Sequence, residues 1–160
     1  MKLSYFLHLH HLTERGSCLK TLNGHEESVR SVVLSHEGDE LVTGSLDRTI
    51  KIWHIESGAC LKTLSGHQGP VLALAKTTQG KLVSASADKT IKLWDLASGL
   101  CLKTLPLSHK EAVTSLAIAR DGKLVSASKD KTIKMWDLEL GLSQRTLTGH
   151  KGSKIIFLVN

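Results

Sequence analysis

Apolar residues fall in short runs along the whole chain, and the runs return in a fixed order. Val29–Leu34 is followed by Leu41-Val42-Thr43, by a run ending in Trp53, and by Cys60-Leu61-Lys62-Thr63-Leu64. The order repeats as Val71–Ala75, Leu82-Val83-Ser84, Thr90-Ile91-Lys92-Leu93-Trp94 and Cys101-Leu102-Lys103-Thr104-Leu105. It repeats again as Val113–Ala119, Leu124-Val125-Ser126 and a run ending in Trp136. Turn residues such as Arg120-Asp121-Gly122 stand between runs, and tight turns carry Asp47, Asp88 or Asp130. Short apolar runs bounded by turn signals read as strands, and no segment holds the 3.6-residue apolar period of a helix. The pattern predicts an all-β chain with four strands per unit.

The units share one period. Trp53, Trp94 and Trp136 are spaced by 41 and 42 residues, and Gly24-His25, Gly66-His67 and Gly149-His150 keep the same step, with Ser108-His109 in the remaining slot. Lys81–Leu96 and Lys123–Leu138 differ at two of 16 positions. Four short strands in such a period match the size of a propeller blade. Full units are expected at 24–65, 66–107 and 108–148. Residues 1–23 read as a degenerate partial blade. Aligned on Cys18 and Cys60, His11 falls where Trp53 stands, and Glu14 and Gly16 match Glu56 and Gly58. Residues 149–160 read as the start of a truncated fourth repeat, with one inner strand at Ile155–Val159 and Lys154 where Val29, Val71 and Val113 stand.

The Gly-His pairs near the start of each unit, with Trp94-Asp95 and Trp136-Asp137 near the end, resemble the WD-repeat (WD40-type) β-propeller family over about residues 18–150. Trp53-His54 departs from that pattern. The resemblance implies blades of four antiparallel strands: three full blades, partial blades at both ends, and a propeller left open within one chain. It also implies a polar tetrad in each blade. These would be His25, Thr43, Asp47 and Trp53; His67, Ser84, Asp88 and Trp94; and His109, Ser126, Asp130 and Trp136. The chemistry is consistent. An indole only donates, a hydroxyl donates and accepts, a carboxylate only accepts, and histidine links the last two. Such a chain satisfies buried polar groups and pins strand register. His, Ser and Asp also make up the hydrolytic triad. A set that recurs three times, without a Gly-x-Ser-x-Gly elbow, reads as structure, so no catalytic residue is expected.

WD-repeat proteins generally bind partners on the face made by the loops before the first strand and between the second and third. Residue by residue this implies Ser28, Arg30 and Leu46, then Pro70, Leu72 and Ala87, then Ala112, Thr114 and Lys129. Taken singly, each reads first as an ordinary loop residue. Together they suit a protein or peptide partner with apolar anchors and some acid. The implied function is a non-catalytic scaffold for protein–protein interaction within a larger propeller or assembly. The alternative is a regulatory or sensor segment of a larger signalling or nucleotide-hydrolysing enzyme. An open arc leaves apolar blade faces wet, so further blades or self-association would have to close the ring.

The remaining features narrow this picture only slightly. The formal charge is +6. Lys20, Lys62 and Lys103 recur on the fourth run and Lys51, Lys92 and Lys134 on the third, so much of the charge reads as a guard on the outer edge strand. Without a basic motif interleaved with aromatics, nucleic acid is not the expected partner. Cys18, Cys60 and Cys101 hold one equivalent position and read as small apolar residues opening the outer strand, with neither disulfide nor metal spacing. His8, His10 and His11 lack supporting ligands, so no metal and no cofactor are expected. No apolar run approaches the ~18 residues needed to span a bilayer, and the N-terminus lacks a clean cleavage site. The expected location is intracellular, cytoplasmic by default.

Overall fold

A computed structural model describes residues 7–9, 20–35, 38–105 and 108–149. Three four-stranded antiparallel sheets follow one another along the chain. The first holds β3 (Val29–Leu34), β4 (Glu40–Ser45), β5 (Ile50–His54) and β6 (Cys60–Leu64). The second holds β7 (Val71–Lys76), β8 (Leu82–Ser86), β9 (Ile91–Trp94) and β10 (Cys101–Leu105). The third holds β11 (Val113–Ile118), β12 (Leu124–Ser128), β13 (Ile133–Asp137) and β14 (Leu142–Leu147). Strands pair in chain order within each sheet, and the sheets do not close on themselves. Before them, β1 (Leu7–Leu9) pairs with β2 (Lys20–Leu22) as a two-stranded piece. That pair lies within residues 1–23, where the partial blade is expected. The expected inner strand at Ile155–Val159 lies outside the described residues.

The core lies between blades. Val42, Ile50, Ile52 and Leu64 of the first blade pack against Val71, Leu74, Leu82 and Trp94 of the second. Val83, Ile91, Leu93 and Leu105 of the second pack against Val113, Leu116, Leu124 and Trp136 of the third. Leu22 of the half-blade covers Leu41 and Trp53 in the same way. Each tryptophan therefore fills the gap to the blade before it. Burying side chains of this size removes roughly 150–250 Å² each from water, a large share of what holds neighbouring blades together.

The fourth-strand lysines fasten the same interfaces and do not simply guard the edge. The Lys62 ammonium donates to the Leu96 carbonyl at 3.0 Å and to that of Ala97. Lys103 reaches Glu139 O at 2.7 Å and Leu138 O at 3.4 Å, and Lys20 reaches Glu56 O. Each acceptor lies in the turn between the third and fourth strands of the next blade. The lysine stems lie on Gly58, Gly99 and Gly141, where a Cβ would stand 3.0 Å from Lys20, 3.7 Å from Lys62 and 3.1 Å from Lys103. These glycines have φ of 72–77°, so the turn demands glycine for its backbone as well. The cysteines do not fit the apolar reading either: Cys60 and Cys101 open β6 and β10 but are exposed free thiols.

The two ends of the array differ. On the third blade Leu147 is 41% exposed, whereas its counterparts Leu64 and Leu105 are 4% and 1% exposed. Val125, Ile133 and Met135 are only half-buried. Arg145 stands where Lys62 and Lys103 stand, with no following turn to reach among the described residues. On the first blade β2 covers the outer half of the face, and Val32 of the inner strand is left 48% exposed where Leu74 and Leu116 are 7% exposed.

Candidate functional site

The antiparallel order puts the start of the first strand, the turn between second and third, and the end of the fourth at one end of each blade. The tetrads lie just beneath that end. Trp94 Nε1–H donates to Ser84 Oγ at 2.8 Å, Ser84 Oγ lies 2.7 Å from His67 Nε2, and His67 Nδ1 lies 2.8 Å from Asp88 Oδ2. The first blade repeats this with Trp53, Thr43, His25 and Asp47 at 2.8, 2.7 and 2.7 Å. The third repeats it with Trp136, Ser126, His109 and Asp130 at 2.8, 2.8 and 3.0 Å. All twelve expected tetrad residues are thus brought together in three sets.

Hydrogen-bond accounting fixes the direction of each chain. The carboxylate only accepts, so histidine Nδ1 carries the proton; the Nε2 of a neutral ring then accepts, and the hydroxyl that accepts from the indole gives it its own proton. The imidazole is then neutral with its proton on Nδ1, which donates to an ionised carboxylate. Burial holds His25, His67 and His109 below the ordinary imidazole value even though the neighbouring aspartate pulls the other way. Burial alone would raise the three aspartates. Donors from threonine, histidine and backbone amides outweigh it and hold all three below the usual carboxylate value, Asp88 at about 2. Arranged this way, Ser84, His67 and Asp88 have the connectivity of a hydrolytic triad. Yet the Ser84 and Ser126 side chains are completely buried, Thr43 is 1% exposed, and each hydroxyl is already bound by an indole. A nucleophile must meet its substrate, and these hydroxyls have no path to one.

Two further residues per blade belong to the network and were not expected. Thr49, Thr90 and Thr132 each give Oδ1 of the aspartate two residues earlier both an amide and a hydroxyl proton, for example Thr90 to Asp88 at 2.9 and 2.6 Å. Ser45, Ser86 and Ser128 accept from the aspartate amide and donate to a carbonyl of the loop before the first strand: Glu27, Gly69 and Glu111. The signal was present, since Ser-x-Asp-x-Thr recurs at 45–49, 86–90 and 128–132. The Trp53-His54 departure also has its explanation. His54 Nδ1 accepts from the Ser57 amide at 3.2 Å, where Asp95 Oδ1 accepts from the Ser98 amide at 2.7 Å.

Above the tetrads the expected binding residues meet in pairs. The Leu46, Ala87 and Lys129 amides donate to the Ser28, Pro70 and Ala112 carbonyls, each at 2.9 Å. Loops from two parts of each blade are thus locked into one surface. Arg30, Leu72 and Thr114 each sit at a β-bulge, where the register skips between Val29 and Ser31, Val71 and Ala73, Val113 and Ser115. A bulge re-aims the side chain of the extra residue. Arg30 and Lys129 are exposed, Ser28, Leu46, Pro70, Leu72, Ala87 and Thr114 are half-buried, and Ala112 is buried and offers a partner no side-chain contact. Arg48, Lys89 and Lys131 were missed. They are exposed and hold φ of 71°, 73° and 67° in the turn after β4, β8 and β12. Side chains other than glycine lose about 1–2 kcal/mol in that left-handed conformation.

This geometry agrees with what the chain is similar to. The WD domain, G-beta repeat family matches residues 16–54, 58–95 and 99–137. The chain belongs to the WD40-repeat family. Each WD40 match ends at its Trp-His or Trp-Asp pair, so a sequence repeat joins the outer strand of one blade to three inner strands of the next, while each sheet takes its four strands from 29 to 64 and equivalents. Periodic tryptophan protein 2 homolog of Schizosaccharomyces pombe is 37% identical over 68 residues, 42% of this chain and 8% of that protein. Vegetative incompatibility protein HET-E-1 of Podospora anserina is 49% identical over 44 residues, 28% of this chain and 3% of that protein. Transcriptional repressor tup12 of S. pombe is 41% identical over 44 residues, 28% of this chain and 7% of that protein. This WD40 chain spans less than a tenth of each of these relatives. Among the described residues no group of histidine, cysteine or acidic side chains has the arrangement to hold a metal, and no helix is long and apolar enough to cross a membrane.

Proposed function

We propose that the chain is a non-catalytic scaffold that holds a protein or peptide on the loop face above its tetrads. The observation that carries this reading is the pairing of loops: three equal backbone bonds fix Ser28 to Leu46, Pro70 to Ala87 and Ala112 to Lys129. A preorganised face loses little conformational entropy on binding, which favours recognition. Replacing Arg30 with glutamate and Leu46 with aspartate together is expected to abolish partner capture and leave the far-UV circular dichroism unchanged. Undiminished capture by this double variant would remove the assignment. The exposed thiols of Cys60 and Cys101 fit a reducing compartment, in line with an intracellular, cytoplasmic protein.

The face that the third blade leaves partly exposed among the described residues supports a place within a larger propeller, either a scaffold or the regulatory segment of a larger enzyme. Leu147 and Arg145 repeat the positions that bind the next blade three times within the chain, at Leu22 and Lys20, Leu64 and Lys62, and Leu105 and Lys103. A further blade fits that face better than a second copy does, because β2 already covers the matching face of the first blade through Leu22. Light scattering of the chain alone is expected to show no discrete dimer. A stable dimer of defined mass would make the second copy the cover.

A further inference from the structure

We infer that the loop face selects an acidic peptide and holds it across the second and third blades. This deepens the reading of that face as the binding surface. Its cations are Arg30, Arg48, Lys89, Lys110, Lys129 and Lys131, all exposed. Among the described residues none of them forms an ion pair or a side-chain hydrogen bond. The turn aspartates at this end are not free to neutralise them. Asp47, Asp88 and Asp130 spend both carboxylate oxygens on histidine, threonine and a backbone amide, as when Asp88 binds His67, Gln68 and Thr90. These three aspartates are therefore spent within the blades, and six exposed cations against Glu26, Glu27 and Glu111 leave the surface above them basic.

The charge is unevenly spread. The first blade carries Glu26 and Glu27 beside its two arginines, whereas the other two carry four lysines against Glu111. An acidic segment is drawn toward the second and third blades and turned away from the first. All three blades place a long basic side chain at the left-handed turn position, which glycine or asparagine would occupy with less strain. Between the cations, Pro70, Leu72 and Ala87 leave part of their apolar surface open. A peptide of acidic residues with apolar side chains between them fits this face. Nucleic acid fits it less well: the three tryptophans are buried, and among the described residues no aromatic side chain is exposed on this face to stack on bases.

The test is fluorescence anisotropy with a short labelled peptide of alternating glutamate and leucine, its glutamine counterpart, and a DNA duplex. The glutamate peptide is expected to bind at least about tenfold more tightly than the glutamine peptide, with affinity falling as salt rises. Lys129→Glu with Lys131→Glu should weaken it about tenfold or more. Arg120→Glu, exposed in a turn at the opposite end, should leave it unchanged. If the two peptides bind equally and both are lost in the Arg30→Glu/Leu46→Asp variant, the face binds peptides but acid selection is wrong. If neither face variant changes binding, the face itself is wrong. Equal weakening by Arg120→Glu, or tighter binding of the duplex, would also overturn the inference.

Discussion

Replacing Ser84 with alanine is expected to destabilise the chain by about 2–6 kcal/mol, read as a lower midpoint in urea. The hydroxyl serves two buried partners: it accepts from Trp94 at 2.8 Å and donates to His67 at 2.7 Å. Alanine leaves both without partners in a site water does not reach, and each orphaned group costs about 1–3 kcal/mol. The middle blade is the right place to look, because both its faces are packed against neighbours. Adding Trp94→Phe removes the stranded indole N–H. The double variant should therefore lose less than the sum of the two single losses, since the pair shares one bond. An unchanged midpoint for the single variant would mean that the hydroxyl is not holding the network.

Acid should destabilise the chain in two stages. The three tetrad histidines are held below their ordinary value of 6.5, so they stay neutral in the folded blades while the unfolded chain takes up protons. For a base held low, stability is full above the unfolded value and falls as pH drops below 6.5. Up to three protons are taken up on unfolding, each steepening the fall by about 1.4 kcal/mol per pH unit. The aspartates act lower down. Their folded values lie below 3.8, Asp88 at about 2, so their contribution is present above 3.8 and is lost as pH falls toward 2. Urea midpoints measured from pH 7.5 to 4 should fall smoothly, with the onset near 6.5. A midpoint independent of pH across that range would contradict neutral, buried histidines.

The strands and the tetrads were legible because repetition turns weak local signals into strong ones. Thr43 could be matched to Ser84 and Ser126 only because Asp47 and Trp53 keep the same offsets. What escaped depends on the direction in which a side chain leaves the backbone. Lys62 and Lys103 look like edge residues in the sequence, but their stems lie over a glycine of the next blade, a contact made by stacking and by no local pattern. Cys60 looks like a small core residue but opens the outer strand, most of whose side chains are exposed. Ala112 was expected at the surface, but it packs inward beside the buried Val113. Arg48, Lys89 and Lys131 stood in plain view next to each tetrad aspartate. Their weight came only with the left-handed backbone and the finding that the aspartates beside them are already spent.

Three equivalent, closed polar networks form the framework of the blades, and the binding proposed for the loops above them depends on it. The most direct measurement is hydrogen exchange at the indole N–H groups of Trp53, Trp94 and Trp136, followed by NMR; the chain has no other tryptophan, so all three appear in one spectrum. Each indole bonds a buried hydroxyl at 2.8 Å, so all three should exchange as slowly as the most protected amides of the blades. Any one of them exchanging at the rate of free indole would show an open network and contradict the account.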